Sequence, residues 1–302
     1  MNILVTGASG LLGRQVVSEA ERRGHSVIGT ALSRAQPPRL IKLDLNDAAA
    51  VEELLCAQKP QAIIHCAAEK RPDVAERSQA ATEQLNAVAP GHLAQIARRL
   101  GAFFVYISTD YVFDGKNPPY GVDDLPNPLN FYGRTKLAGE RAVQAANPDA
   151  AILRVPILYG PAEYAAESAV NVLLDVVKNT AETKMDAWQA RYPTCTEDIA
   201  RVLLDMTEVS VGAAGEGVAG IFHFTAAEKM TKYDMCRVFA RLLEIADDGL
   251  AHVIPVAEKP AAEQLASRPD NTHLTTTALE EIGINVSCVR FEQWWSKHLS
   301  SA

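Results

Sequence analysis

Residues 5–14 read VTGASGLLGR and place Gly7, Gly10 and Gly13 three residues apart, where an apolar run ends and a helical pattern begins. Missing side chains at such a junction allow a tight turn, close approach of the backbone to a pyrophosphate, and a helix N-terminus facing the anion. The preceding run, ILVT (3–6), is the first of a series. SVIGTA (26–31), RLIKLDL (39–45), AIIHCAA (62–68), FFVYIS (103–108) and AILRV (151–155) follow. Helical patterns separate them: Leu11 to about Arg23, 47–58, a long helix ending near Leu100, and a helix carrying Tyr132. Continuous apolar runs separated by helices predict a parallel sheet covered on both faces. The fold expected is α/β, a Rossmann-type doubly wound parallel sheet.

The second half is less regular. Helices are expected at 168–178, 196–209, 231–245 and 291–299, with short strands near 221–225 and 252–256. The organisation expected is a dinucleotide-binding domain over 1–156 and a smaller substrate or partner lobe over 157–302, some of whose strands return to the main sheet. GAAGEGVAG (212–220) lacks the Lys-Ser/Thr ending of a phosphate loop and reads as a flexible connector. No internal repeat is present.

Charge and composition remove several classes of function. The 302 residues carry a net charge of -8 with no run of like charges, against nucleic-acid binding and against a polybasic membrane contact. No stretch reaches the roughly 18 unbroken apolar residues of a membrane span. The N-terminus enters a strand at once, without the basic and apolar regions of a secretory signal. The five cysteines, at 56, 66, 195, 236 and 288, are scattered without metal-type spacing and are expected as reduced, buried thiols. A cytoplasmic location follows, in which the NVS sequon at Asn285 carries no weight.

The chemistry is concentrated in short motifs. After strand two comes GTALSRAQP, which offers Ser33 and Arg34 in place of the acid that holds the ribose 2′-hydroxyl of NAD. A hydroxyl and a guanidinium suit a 2′-phosphate, so NADP(H) is the expected cofactor, although Arg34 also reads as a solvated loop charge. Asp44 and Leu45, ending strand three, lie where the adenine would rest; Asp44 equally suits a cap for the next helix. YISTDYVFDG puts Ser108 and Thr109 at the C-terminal end of a central strand, the ligand edge of open α/β sheets. FYGRTK sets Tyr132 and Lys136 four apart on one helix face. A lysine ammonium beside a phenol favours the phenolate, giving a proton donor or acceptor, while Thr109 holds a substrate carbonyl and Lys136 reaches the nicotinamide ribose. An isolated Tyr-x-x-x-Lys pair is common helix surface; the glycine turn and Ser-Thr strand give this one its context. In EKRPD, Lys70 and Arg71 read as facing a cofactor or anion, and Pro72 and Asp73 as helix capping. Arg191 reads as a phosphate contact or an ordinary ion pair.

These residues together resemble the extended short-chain dehydrogenase/reductase superfamily over the whole chain. STDYVFDG, FYGRTK, RPDN and AILRVPILYG are similar to its dTDP-4-dehydrorhamnose reductase branch. That resemblance implies Thr109, Tyr132 and Lys136 as the catalytic trio. It also implies cofactor contacts at Ser9, Gly10, Leu11 and Leu12, at Ala67 and Ala68, and near Pro156 and Leu158. HCAAEKRPDVAE (65–76), ESAVNVLL (167–174), MDAWQARYPTCTEDIA (185–200) and MTKYDM (230–235) resemble the regulatory beta subunits of methionine adenosyltransferase. These stretches lie outside the shared cofactor motifs. They imply an NADP-binding, reductase-like module that attaches to the catalytic subunit making S-adenosylmethionine.

Two departures accompany this resemblance: the chain begins directly at strand one, and it stops soon after FEQWWSKHLSSA, where the regulatory subunits run into a longer tail. Trp294 and Trp295 read either as an interface anchor or as part of the lobe's own core. The alternative function is NADPH-dependent reduction of a nucleotide-linked 4-keto-6-deoxy sugar.

Overall fold

The computed structural model describes residues 1–37, 39–212, 217–258 and 266–300. The expected alternation of strands and helices is present. The first half runs β1 (Asn2–Thr6), α1 (Leu11–Arg22), β2 (Ser26–Ala31), β3 (Leu40–Lys42), α2 (Ala48–Gln58), β4 (Ala62–His65), α3 (Pro72–Arg77), α4 (Gln79–Glu83), α5 (Ala89–Leu100), β5 (Phe103–Thr109), α6 (Phe131–Ala146) and β6 (Ala151–Val155). The second half adds β7 (Leu158–Tyr159), α7 (Val172–Lys178), β8 (Thr183–Asp186), β9 (Thr194–Cys195), α8 (Thr196–Val211), β10 (Gly220–His223), α9 (Lys232–Leu242), β11 (Val253–Val256), α10 (Thr277–Glu281) and α11 (Phe291–Ser300).

Seven strands form one sheet in the order β10-β6-β5-β4-β1-β2-β3, every pair parallel. Neighbouring side chains on a strand point to opposite faces, so each strand feeds two cores. Ile3, Val5, Val105 and Leu153 pack on one face against α1 and α8, with Leu12, Val16, Ile199 and Leu203. Leu4, Ile63, Phe104 and Ile152 pack on the other against α2, α5 and α6, with Leu55, Leu93 and Val143. Burying each such side chain stabilises by about 1.5–3 kcal/mol, and a one-residue register slip would exchange the two faces. β10, drawn from the second half of the chain, forms one edge of the sheet beside β6.

Several boundaries differ from expectation. Strand three ends at Lys42, so Asp44 and Leu45 lie beyond it. Asp44 accepts the Asn46 backbone N–H at 2.9 Å, a local turn, and Asp47 is the residue that caps α2, through Ala50 N at 3.1 Å. The long helix expected to end near Leu100 is divided into α3, α4, a π-helical turn at Gln84–Val88, and α5. That wide turn places Asn86 so that its side chain clasps the Glu69 backbone at 2.9 and 3.0 Å, while its carbonyl accepts the Tyr106 hydroxyl at 2.8 Å.

The aromatic residues after β6 build a third core. Tyr159, Phe239, Phe291, Trp294 and Trp295 interlock with ring centroids 4.8 to 6.2 Å apart. Trp294 is 9% exposed and Trp295 1%, so the pair belongs to the core and is not an exposed anchor. Of the connector expected over 212–220, residues 213–216 lie outside the described residues. All five cysteines are free; Cys195 and Cys236 are buried, whereas Cys56 is exposed, contrary to the expectation of buried thiols. Among the described residues no helix is long and apolar enough to cross a membrane, and no acidic, His or Cys cluster has the geometry of a metal site.

Candidate functional site

The strand order reverses between β1 and β4, and the loops leaving the C-terminal ends of β1, β2, β4, β5 and β6 meet at that edge. The glycine turn is built from backbone against backbone. Gly7 has φ 65°, and a Cβ there would stand 2.8 Å from the backbone of Ala67. A Cβ on Gly13 would stand 2.2 Å from the Gly7 carbonyl oxygen. Gly10 donates its N–H to the same oxygen at 2.8 Å and is the N-cap of α1. No side chain caps that helix, which leaves its first-turn N–H groups for an anion. This cradle, which side chains would fill, fits a dinucleotide pyrophosphate. Ser9 is half-buried in the loop, and Leu11 and Leu12 are buried beneath it.

Around the cradle, Ala67 and Ala68 are half-buried after β4, Pro156 is buried after β6, and Leu158 starts β7. Ser33 is exposed after β2, Asp44 is exposed and Leu45 is buried. Arg34 and Arg71 are both held by carboxylates. Arg71 makes a two-pronged pair with its neighbour Glu69 at 2.7 and 2.9 Å. Pro72 opens α3 and Asp73 lies in its first turn, the capping arrangement read from EKRPD.

Arg34 belongs to a larger cluster. Its Nη1 donates to Glu163 and to Glu167, each at 2.6 Å. Arg14, in the first turn of α1, donates to Glu167 at 2.5 and 3.1 Å and to the Ser9 carbonyl at 2.6 Å. Lys70 Nζ donates to the Glu167 carbonyl oxygen at 2.5 Å. Burial opposes ionisation of Glu167, but the Arg14 and Arg34 hydrogen bonds outweigh it and hold the carboxyl at about 2.

The expected trio lies on β5 and α6. Asn130 caps α6 by accepting the Gly133 N–H at 2.8 Å, and Gly133 allows that helix to approach the Tyr111 carbonyl, where a Cβ would stand 2.3 Å away. Tyr132 lies beside Thr109 and meets Tyr111 edge-on at 6.2 Å between ring centroids. Burial raises the Tyr132 phenol, and the Thr109 side chain opposes that rise. Lys136 is buried, donates to the Ile107 carbonyl at 2.7 Å, and sits 3.9 Å above the Tyr106 ring. Burial lowers its ammonium to about 7, partly offset by Glu140 one turn further along α6. The ammonium is thus occupied by a carbonyl and a ring face, and the phenol is governed by burial. The simple picture of a lysine pulling the tyrosine down does not describe this arrangement.

Ser108 has a different neighbour from the one its sequence position suggests. It donates to Glu140 at 2.5 Å, and Glu140 makes a fully buried pair with Arg154 at 2.7 and 2.9 Å. Arg154 continues to His223 at 3.2 Å and stacks on Phe113. Asp110 follows Thr109; it accepts from Thr109 at 3.1 Å and from Thr272, and burial raises its carboxyl to about 6. Arg191 is buried rather than a surface pair, donating to Asp186 at 2.7 Å, Gln189 at 2.5 Å and the Tyr111 hydroxyl at 3.3 Å.

Sequence reasoning missed Arg14, Glu163, Glu167, Glu140 and Asp110. Asp110 and Arg14 sit inside motifs already noticed, so their positions could have flagged them. Glu167 lies 153 residues from Arg14, and no local pattern reports that pairing.

A parallel sheet with its strand order reversed at a glycine cradle, flanked by Thr109, Tyr132 and Lys136, defines the extended short-chain dehydrogenase/reductase class. Within it, residues 1–297 match the model of the RmlD substrate binding domain, and the chain belongs to that family. It is 46% identical over 282 residues, 93% of this chain and 82% of the relative, to methionine adenosyltransferase 2 subunit beta of Xenopus tropicalis. It is 35% identical to the dTDP-4-keto-6-deoxy-D-glucose reductase of Streptomyces niveus, with 93% and 91% of the two chains covered. The solved dTDP-4-dehydrorhamnose reductase of Clostridium acetobutylicum superposes with a TM-score of 0.85 at 30% identity, covering 100% and 99%.

Proposed function

We infer that this chain is an NADP-binding, reductase-like regulatory subunit of methionine adenosyltransferase, resident in the cytoplasm, that docks on the catalytic subunit. The observation that carries the reading is the 46% identity to a subunit beta across 93% of the chain, set against 35% to a sugar reductase over a similar span. The stretches whose sequence resembles the regulatory subunits, such as 185–200 and 230–235, lie outside the cofactor motifs. Residues 1–156 would hold the cofactor and residues 157–302 the partner or substrate.

In this reading the Gly7, Gly10 and Gly13 cradle and the uncapped α1 terminus receive the pyrophosphate. Ser9, Leu11 and Leu12 shape the loop. Ser33 and Arg34 face the adenosine ribose, Asp44 and Leu45 the adenine. Arg71, Ala67 and Ala68 border the dinucleotide on one side, Pro156 and Leu158 on the other. Lys136 holds the nicotinamide ribose. Lys136→Ala should weaken NADP(H) binding at least about tenfold, and Tyr132→Phe by less than about twofold, by calorimetry. Equal affinities of wild type and Lys136→Ala would refute the placement.

The second reading, reduction of a nucleotide-linked 4-keto-6-deoxy sugar, is favoured by the contact between Thr109 and Tyr132 on β5 and α6. A bound nicotinamide would supply hydride. Thr109 would then orient the carbonyl and the Tyr132 hydroxyl would supply the proton, which its raised affinity for that proton retains until transfer.

Light scattering after size exclusion, on this chain mixed with the methionine adenosyltransferase catalytic subunit of its own organism, separates the two. A stable complex at micromolar concentration supports the regulatory reading. Two separate peaks make the sugar reductase the leading one.

A further inference from the structure

Arg14, Arg34 and Lys70 leave three different segments of the ligand edge: the first turn of α1, the loop after β2 and the loop after β4. All three converge on one short segment after β7, residues 161–168. That segment presents the Glu167 carboxylate to Arg14 and Arg34, the Glu167 carbonyl to Lys70, and the Glu163 carboxylate to Arg34. The Glu163 backbone N–H closes the turn on Glu167 Oε2 at 3.0 Å and leaves the Glu163 carboxylate outside that bond. Two guanidinium groups and the Lys70 ammonium face two carboxylates; Arg14 also lies 3.6 Å from Glu163 and is tied to the glycine loop through the Ser9 carbonyl. The two acids differ in access: the Glu167 side chain is 3% exposed and the Glu163 side chain 50%.

We propose that Glu163 and Glu167 are specificity-determining residues, an internal anion that competes with the 2′-phosphate of a dinucleotide for Arg34 and so sets the preference between NADP(H) and NAD(H). The inference rests on the cofactor reading above and deepens it. A phosphate approaching Arg34 meets a guanidinium whose Nη1 is already shared by two carboxylates. Its gain is therefore reduced by the interaction it displaces. A 2′-hydroxyl carries no charge and needs no such displacement. Glu163, half-exposed, is the acid free to rotate aside; Glu167, buried and doubly bonded, keeps Arg14 on the glycine loop. The sequence around Arg34 reads as a 2′-phosphate contact or a solvated loop charge. The fold sets two carboxylates against it.

The test is calorimetric titration of the full chain, wild type, Glu163→Gln and Glu167→Gln, with NADP and with NAD. Thermal melts by circular dichroism verify that each variant is folded. Glu163→Gln should tighten NADP binding about threefold and change NAD binding by less than about 1.5-fold. Glu167→Gln should shift the NADP-to-NAD ratio in the same direction and further. If Glu167→Gln fails to fold, Glu163→Gln decides alone, because its side chain is half in solvent. Wild type that binds neither dinucleotide while Glu163→Gln binds NADP also supports the competition. A ratio unchanged or lowered in Glu163→Gln, with wild type binding NADP, overturns this inference and leaves the cofactor reading standing. No binding by any of the proteins overturns both.

Discussion

Gly13→Ala should be destabilising, although helix propensity alone argues the opposite. In an open helix, alanine in place of glycine gains about 1 kcal/mol. At this position the new Cβ would stand 2.2 Å from the Gly7 oxygen, 2.8 Å from the Gly7 carbonyl carbon and 2.9 Å from the Ala8 Cα. Ordinary contact begins near 3.4 Å, so the overlap is 3.4 − 2.2, or 1.2 Å, against backbone that cannot rotate away. Relief requires the start of α1 to withdraw, which strains the 2.8 Å bond from Gly10 N to Gly7 O and lifts Leu12 and Val16 off the sheet. Overpacking of that kind costs about 1–3 kcal/mol, and the strained hydrogen bond about 1 more. The net expectation is a loss of about 1–3 kcal/mol, read as a lowered urea midpoint at unchanged m by far-ultraviolet circular dichroism. Gly24→Ala is the contrasting variant. Nothing lies within 4 Å of its Cβ but φ is 79°, so its cost is the left-handed backbone alone, about 1–2 kcal/mol. A Gly13→Ala protein as stable as wild type, or more so, would refute the reasoning.

Three further variants probe the buried charges. Asp110 has a carboxyl raised from 3.8 to about 6, so the folded state holds its proton more tightly than the unfolded one. Stability is then fully present below about 4 and falls as pH rises through 6, by about 3 kcal/mol in all. Asp110→Asn should remove that slope, so the stability difference between variant and wild type, measured by denaturation from pH 4 to 7.5, should grow with pH; a flat difference would sink the assignment. Glu140→Gln leaves the Arg154 guanidinium buried without its counter-charge and should cost about 3–5 kcal/mol. Adding Arg154→Met should recover part of that loss, and a double variant no more stable than Glu140→Gln would show that the cost is not the stranded charge.

Local features follow from the order of the residues alone. Short continuous apolar runs at 3–6, 26–31, 62–68, 103–108 and 151–155 specify buried parallel strands because both faces of each must be covered, and runs of four to seven residues are too short for a buried helix. The three glycines specify the turn because their lost side chains are needed within a few residues of each other, as the Gly7 and Gly13 geometry requires. The Tyr132 and Lys136 spacing is likewise one helical turn. Other outcomes depend on partners distant in the chain. Arg34 is claimed by acids 129 and 133 residues away. Ser108 turns to Glu140 because α6 lies against β5, and Trp294 and Trp295 are buried because Tyr159 and Phe239 surround them. Lys136 is neutralised toward about 7 by the depth at which α6 packs, which its spacing from Tyr132 does not encode. Periodicity specifies which face of an element is buried; the charge state and partners of a side chain depend on what the other elements bring to that face, and tertiary packing alone decided these.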